Sequence, residues 1–169
     1  KLSENNWTRV AVFAGGDRGH YRTNFDCFVG VDRGSLWVLE EDLPLALAVG
    51  DFDSVTAEER QLIQKRAQHF IQAQPEKDDT DLELALLTIF EQNPQAQVTI
   101  FGALGGRIDH MLANVFLPSN PKLAPYMRQI AIEDGQNVIS YCPEGTSQLE
   151  PCSDYDYLAF MPVRDSQLT

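Results

Sequence analysis

The sequence predicts an α/β protein, a doubly wound parallel sheet over residues 1–127 followed by the beginning of a β domain over 128–169. Three observations predict it. Short, continuously apolar runs end repeatedly at glycine or aspartate, as strands buried on both faces do. Between them lie stretches with helical caps and helical apolar spacing. Beyond Met127 that spacing gives way to short β-rich runs joined by glycine and proline turns.

Arg9 to Ala14 reads as the first strand, closing at Gly15-Gly16, and Phe25 to Val31 as the second, closing at Asp32-Arg33-Gly34. Asp17 to Asn24 has poor apolar periodicity, which leaves a helix or an irregular crossover open there. Ser35 to Glu41 suits a short helix, and Leu45 to Val49 a third strand. In Thr56-Ala57-Glu58-Glu59 the threonine hydroxyl can accept from a free backbone N–H while Glu59 reaches back, a capping box that starts a helix to about His69. Phe70 to Ala73 is a short fourth strand.

The strongest helix signal begins at Thr80, with Glu83 three residues on and Leu82, Ala85, Leu86, Ile89 and Phe90 along one face. Asn93-Pro94 ends it. Val98 to Phe101 is the next strand, and Gly102 to Gly106 leads into a helix whose Ile108, Met111, Leu112, Val115 and Phe116 form another apolar stripe. Past Met127, Ile130 to Glu133, Val138 to Cys142, Ser147 to Leu149 and Tyr157 to Val163 read as strands. The chain stops before such a β domain closes a core, so further chain or a partner is expected to complete it. Strands alternating with helices imply a Rossmann-like sheet with its ligand at the carboxyl ends of the strands.

Acidic and glycine motifs cluster at those ends. In Gly50-Asp51-Phe52-Asp53-Ser54 an extended backbone would aim Asp51 and Asp53 the same way, with Phe52 toward the core. Two such carboxylates suit a hard divalent ion, most simply Mg2+ carried with substrate phosphates. A polar turn in which Asp53 or Ser54 caps the next helix is the other reading. Asp32, the group Asp78, Asp79 and Asp81, and Asp109 follow other strands. Acids in a first helical turn also favour the helix dipole without any ligand. Gly105-Gly106 can form a tight turn or let a phosphate approach backbone N–H groups, with Lys77 and Arg107 offsetting its charge.

Composition narrows the function. A formal charge of −12, from 13 basic and 25 acidic side chains, argues against a nucleic-acid or anionic-membrane surface. Cys27, Cys142 and Cys152 lack metal-ligand spacing and read as reduced thiols, and His20, His69 and His110 are too scattered for zinc. No apolar run is long enough to span a bilayer and no signal-peptide core opens the chain, so a cytoplasmic protein is expected.

Taken in order, Asp32-Arg33-Gly34, Gly50 to Ser54, Lys77 to Asp81 and Gly105 to His110 resemble the bacterial thiamine pyrophosphokinase family, over roughly Val10 to Ile132. The resemblance implies transfer of pyrophosphate from ATP to the hydroxyl of thiamine, giving thiamine diphosphate and AMP. It also implies Mg2+, a β-sandwich after the α/β domain, and a homodimer with active sites between subunits. By motif, Asp51, Asp53 and Asp81 would be the metal-linked carboxylates and, with Asp109, the catalytic set. Asp32, Gly34, Asp78, Thr80, Gly105, Gly106 and Arg107 would line the ATP and pyrophosphate site. Two departures stand out: the first motif usually reads Ala-Asp-Gly-Gly, and the family's Ser-Asn-rich thiamine segment has no counterpart before Thr169. Two other readings fit parts of the pattern. Asp51-Phe52-Asp53-Ser54 looks like the nucleophile motif of haloacid dehalogenase phosphatases, though these place it after their first strand. A non-catalytic, receiver-like module with an acidic Mg2+ pocket would need neither the glycine loop before Arg107 nor the added β segment.

Overall fold

The computed structural model describes residues 6–74, 79–150 and 154–163. Its chain runs β1 (Arg9–Phe13), β2 (Cys27–Val31), α1 (Gly34–Glu40), β3 (Leu45–Gly50), α2 (Ala57–Arg66), β4 (His69–Gln72), α3 (Asp81–Gln92), β5 (Gln97–Phe101) and α4 (Ile108–Phe116). Two 3-10 turns then lead to β6 (Ile130–Glu133) and β7 (Val138–Ser140). The strands form one sheet in the order β4-β3-β2-β1-β5-β6-β7, parallel except for β7.

This order is what two windings in opposite directions produce. From β1 the chain steps outward to β4 with α1 and α2 on one face, then α3 returns over the other face to place β5 against the free edge of β1. Keeping every crossover right-handed while reversing direction requires that change of face. Strand alternation supplies both cores. Val10 and Val12 face Leu82, Ala85, Leu86 and Ile89 of α3, while Ala11 and Phe13 face Leu36, Trp37 and Val38 of α1 and Ile63 of α2.

Caps set the helix starts as expected. Thr56 Oγ1 accepts from the Glu59 N–H at 3.2 Å and the Thr56 N–H donates to Glu59 Oε2 at 2.8 Å, completing the box. Thr80 Oγ1 likewise accepts from the Glu83 N–H at 3.2 Å, but the Glu83 side chain turns inward and accepts from Asn120 Nδ2 at 3.0 Å. Burial pushes the Glu83 carboxyl above the ordinary range.

Several expectations are corrected. The α2 helix ends at Arg66, because Ala67 turns extended and the Gln68 N–H donates to Leu45 O, drawing His69 into β4. Of the two forms left open for Asp17 to Asn24, the structure has the irregular crossover. Of the runs read past residue 127, Ile130–Glu133 pairs in parallel with β5 and Val138–Ser140 pairs antiparallel with β6, so both extend the α/β sheet. Ser147 to Leu149 and Tyr157 to Val163 form no strand, and Tyr157, Leu158 and Met161 stand in solvent. The α4 stripe exists but is uncovered: no α4 residue is buried, and Ile108 is 69% exposed. Cys27 lies buried in β2 and Cys142 is exposed, both as free thiols, and Cys152 falls outside the described residues.

Gly34 opens α1 hard against the sheet, where a Cβ would lie 1.9 Å from the carbonyl oxygen of Phe13. Backbone cannot yield as a side chain does. Gly34→Ala is therefore expected to lower unfolding stability by about 3 kcal/mol, the upper end of overpacking costs. Urea denaturation checks it, and an unchanged midpoint would contradict the tight α1–β1 contact.

Candidate functional site

The carboxyl ends of β2 and β3 and the amino end of α3 bring three acids together. Asp32, Asp51 and Asp81 each offer a carboxylate oxygen within 4.8 Å of the others, and all three are half-buried. Asp32 follows β2 with φ 47°, its N–H donating to Val49 O at 2.9 Å. Its Oδ1 accepts from the Phe52 N–H at 3.1 Å. Gly50 makes room for that carboxylate, since a Cβ there would lie 2.0 Å from Asp32 Oδ1.

The Gly50-Asp51-Phe52-Asp53 segment is a turn, and this corrects the expected pairing. Phe52 has φ 59°, a left-handed conformation costly for a bulky side chain. Its ring is buried and stacks on Phe70 with centroids 4.7 Å apart, which holds the residue in place. The Asp53 N–H donates to Asp51 Oδ1 at 3.0 Å, while the Asp53 side chain is exposed and lies outside the trio. Asp32 takes the position that strand alternation assigned to Asp53. The signal was present in Gly50, whose missing side chain admits the carboxylate of the neighbouring strand.

Electrostatics match a cation site. Burial, together with the charges of Asp81 and Asp51, pushes the Asp32 carboxyl up to about 7. Three oxygens so close repel one another when ionised, and a hard cation relieves that repulsion through oxygen ligands alone. The donor set therefore fits a divalent ion of the Mg2+ type.

Other predicted residues lie along the same rim or nearby. Thr80 caps α3 and so presents Asp81 in its first turn. Asp79 pairs with Lys122, and Lys77 and Asp78 fall outside the described residues. Gly105 and Gly106, with φ 86° and 69°, form the turn after β5. Arg107 grips Asp109 through two bonds of 3.2 and 2.6 Å, both side chains being exposed. That contact holds the Asp109 carboxyl below the usual range. Gly34 is buried at the start of α1, where its part is packing.

Two features escaped the sequence. Asp17, past the end of β1, lies against the β5 turn, where a Cβ on Gly105 would meet its Oδ2 at 2.8 Å. The Gly16 N–H also donates to Gly102 O at 3.1 Å, which joins the two glycine turns at the β1/β5 point where the winding reverses. Ligands of doubly wound sheets bind at such points. Arg22 and Glu133, distant in sequence, form a two-bond pair of 2.9 and 2.8 Å between the first crossover and β6. No spacing rule connects those positions.

Comparison with known proteins shows the family and the fold. The family described as "Thiamin pyrophosphokinase, catalytic domain" matches residues 19–127. The chain is 36% identical over 162 residues to a Bacillus subtilis protein named thiamine pyrophosphokinase, covering 92% of this chain and 74% of that one. A crystal structure of a thiamin pyrophosphokinase family protein from Enterococcus faecalis superposes with a TM-score of 0.77 at 49% identity, over 82% of this chain and 67% of that one. The thiamine pyrophosphokinase structure from Bacillus subtilis superposes with a TM-score of 0.62 at 35% identity, over 78% of this chain and 62% of that one.

The raised Asp32 carboxyl sets a pH signature. A carboxyl whose folded value lies above its unfolded one contributes stability in full below about pH 4, and loses it as pH rises through about 7. Cation binding removes the repulsion at high pH but must displace a proton at low pH. Added Mg2+ or Mn2+ is thus expected to raise the melting temperature more at pH 8 than at pH 5. Equal shifts by differential scanning fluorimetry at the two pH values would contradict the trio as the binding site.

Proposed function

Because the chain belongs to the thiamin pyrophosphokinase family, we propose that its carboxylate and glycine rim transfers pyrophosphate from ATP to the hydroxyl of thiamine, giving thiamine diphosphate and AMP. Family membership makes it a thiamine diphosphokinase; the residue roles below are our reading. The observation that carries them is the meeting of Asp32, Asp51 and Asp81 within 4.8 Å.

In this reading the trio holds Mg2+, which when bound neutralises the triphosphate and polarises its oxygens. By motif Asp53 would belong to the same metal-linked carboxylates, its exposed side chain lying on the outer side of the turn. Thr80 positions Asp81 by capping α3, and Gly105 and Gly106 admit the phosphate chain to backbone N–H groups. Asp78 and Gly34 remain assigned to the phosphate side by motif, Gly34 by fixing α1 beneath it. Arg107 releases Asp109 and takes a phosphate oxygen in its place, which suits a guanidinium already posed for two-bond recognition. Asp109, so freed, accepts the proton of the thiamine hydroxyl. The hydroxyl oxygen bonds to the β-phosphorus, the bond from that phosphorus to the bridging oxygen breaks, and AMP departs with the electron pair. Such transfer depends mainly on positioning and charge, so no Ser-His or Cys-His pair is required.

The exposed apolar face of α4 and the exposed Tyr157, Leu158 and Met161 support a homodimer, since apolar patches of this kind mark interaction surfaces. They equally suit the further β layer expected beyond β7. No helix among the described residues is long and apolar enough to cross a membrane. We place the protein in the cytoplasm, where ATP and free thiols such as Cys142 coexist. The dehalogenase reading loses its support because the aspartate motif follows the third strand of the chain. The receiver-like reading leaves the joined glycine turns without a purpose.

With ATP, thiamine and Mg2+, phosphorus NMR is expected to show AMP and thiamine diphosphate as products; ADP would overturn the proposal. Asp51→Asn is expected to lower kcat by about 100-fold or more while circular dichroism stays unchanged. Near-normal turnover would remove the trio from the mechanism.

A further inference from the structure

Both α2 and α3 open on the same Thr-x-x-Glu pattern, yet the two glutamates go different ways. In α2, Glu59 reaches back and accepts from the Thr56 N–H, which closes the capping box. In α3, Glu83 instead turns inward, is 4% exposed, and accepts from Asn120 Nδ2 at 3.0 Å. A buried carboxylate needs such a donor, since burying it without one is costly. The start of α3, which presents Asp81, is thus held by the segment that follows α4.

That segment is itself fixed. Leu117 and Leu123 are buried in the core that α3 shares, and Tyr126 stacks on Phe90 with ring centres 4.3 Å apart. Between these anchors the Asn120 carbonyl accepts from the N–H groups of Leu123 and Ala124 at 2.9 and 2.8 Å. Its side-chain Oδ1 accepts from the Lys122 N–H at 3.0 Å, so the amide nitrogen is the end that meets Glu83. The same turn carries Lys122, whose Nζ pairs with Asp79 and lies 4.0 Å from Glu83 Oε1. The acids two residues before and two residues after Asp81 are therefore both tied to one turn.

At 3.6 residues per turn, Glu83 stands about 200° around α3 from Asp81, so a grip on Glu83 acts from the side turned away from the trio. Repulsion among Asp32, Asp51 and Asp81 presses the start of α3 away from the strand ends, and the grip opposes that displacement. We propose that Asn120, acting through Glu83, is a positioning residue for Asp81, and that the 117–123 turn thereby sets how tightly the trio holds a divalent cation. The proposal rests on the reading of the trio as a cation site. Groups that orient metal ligands without touching the ion change its affinity by about 10- to 100-fold.

Asn120→Leu keeps the size of the side chain and removes the donor. In nucleotide-free protein it is expected to raise the Kd for Mn2+ by about tenfold, read by isothermal titration calorimetry. The metal concentration for half-maximal activity is expected to rise with it, the effect falling on metal requirement more than on kcat. Asn120→Asp combined with Glu83→Gln reverses donor and acceptor and is expected to restore the Kd; binding as weak as in Asn120→Leu would overturn the proposal. Val38→Ala, in α1 on the opposite face of the sheet, lowers stability without touching the turn and is expected to leave the Kd unchanged. A Kd that rises there as well would show affinity following stability alone, and would also overturn it. Should Asn120→Leu fail to fold, Lys122→Met tests the second tether, because that side chain is 52% exposed. Removing a positive charge near a cation site would by itself tighten binding. The proposal expects weaker binding, and an unchanged or lower Kd would overturn it. Absence of Mn2+ binding by the unaltered protein would strike the cation reading, whereas normal binding that Asn120→Leu leaves intact would strike the positioning role alone.

Discussion

Mutual repulsion among Asp32, Asp51 and Asp81 is the constraint around which this rim is arranged, because a fold gains nothing by packing three like charges within 4.8 Å unless something offsets them. Much of the surrounding structure serves to keep them there. Gly50 opens space for Asp32, the Phe52 N–H ties its oxygen, and the Phe52–Phe70 stack holds a backbone conformation that a bulky residue otherwise avoids. Thr80 fixes the third acid at the start of α3. Local strain held by packing is a frequent property of functional sites, and here strain and charge crowding coincide.

The sheet explains why acids from separate motifs can meet at all. Parallel strands deliver their carboxyl ends to one edge, so residues 32 and 51 arrive side by side although a helix separates them in the chain. Residue 81 comes from the amino end of a helix on the same edge. The β1/β5 junction divides the rim into a charged half and a half containing the Arg22–Glu133 pair.

Most strands and helices were legible because their signals are local. Continuous apolar runs gave β1 to β3 and β5, the Thr56 and Thr80 caps gave α2 and α3, and helical spacing gave the core face of α3. Where tertiary structure decides, local reading failed. Alternation along Asp51-Phe52-Asp53 presumed an extended backbone, whereas ring stacking imposes a turn and exchanges Asp53 for Asp32. The strand character of Ile130–Glu133 was evident, but its partner, β5, could not be inferred from composition. The α4 stripe has helical spacing without burial, since periodicity reports an apolar face and not what covers it. Arg22 and Glu133 meet only because a crossover passes over β6, which no pattern in either segment encodes.

The central pairing of β1 with β5 sets residue 9 opposite residue 97, so the middle of the sheet is closed by chain segments far apart in sequence. Contacts of that kind form late, since the intervening loop must lose its freedom before any ladder bond repays it. During synthesis β1 to β4 can therefore emerge and pack while the inner edge of β1 is still bare, a template for unwanted strand addition until β5 arrives. The segments that carry the carboxylate trio all precede β5, whereas the glycine turns can join only once β5 has covered β1, and β5 is in turn the open edge until β6 pairs with it.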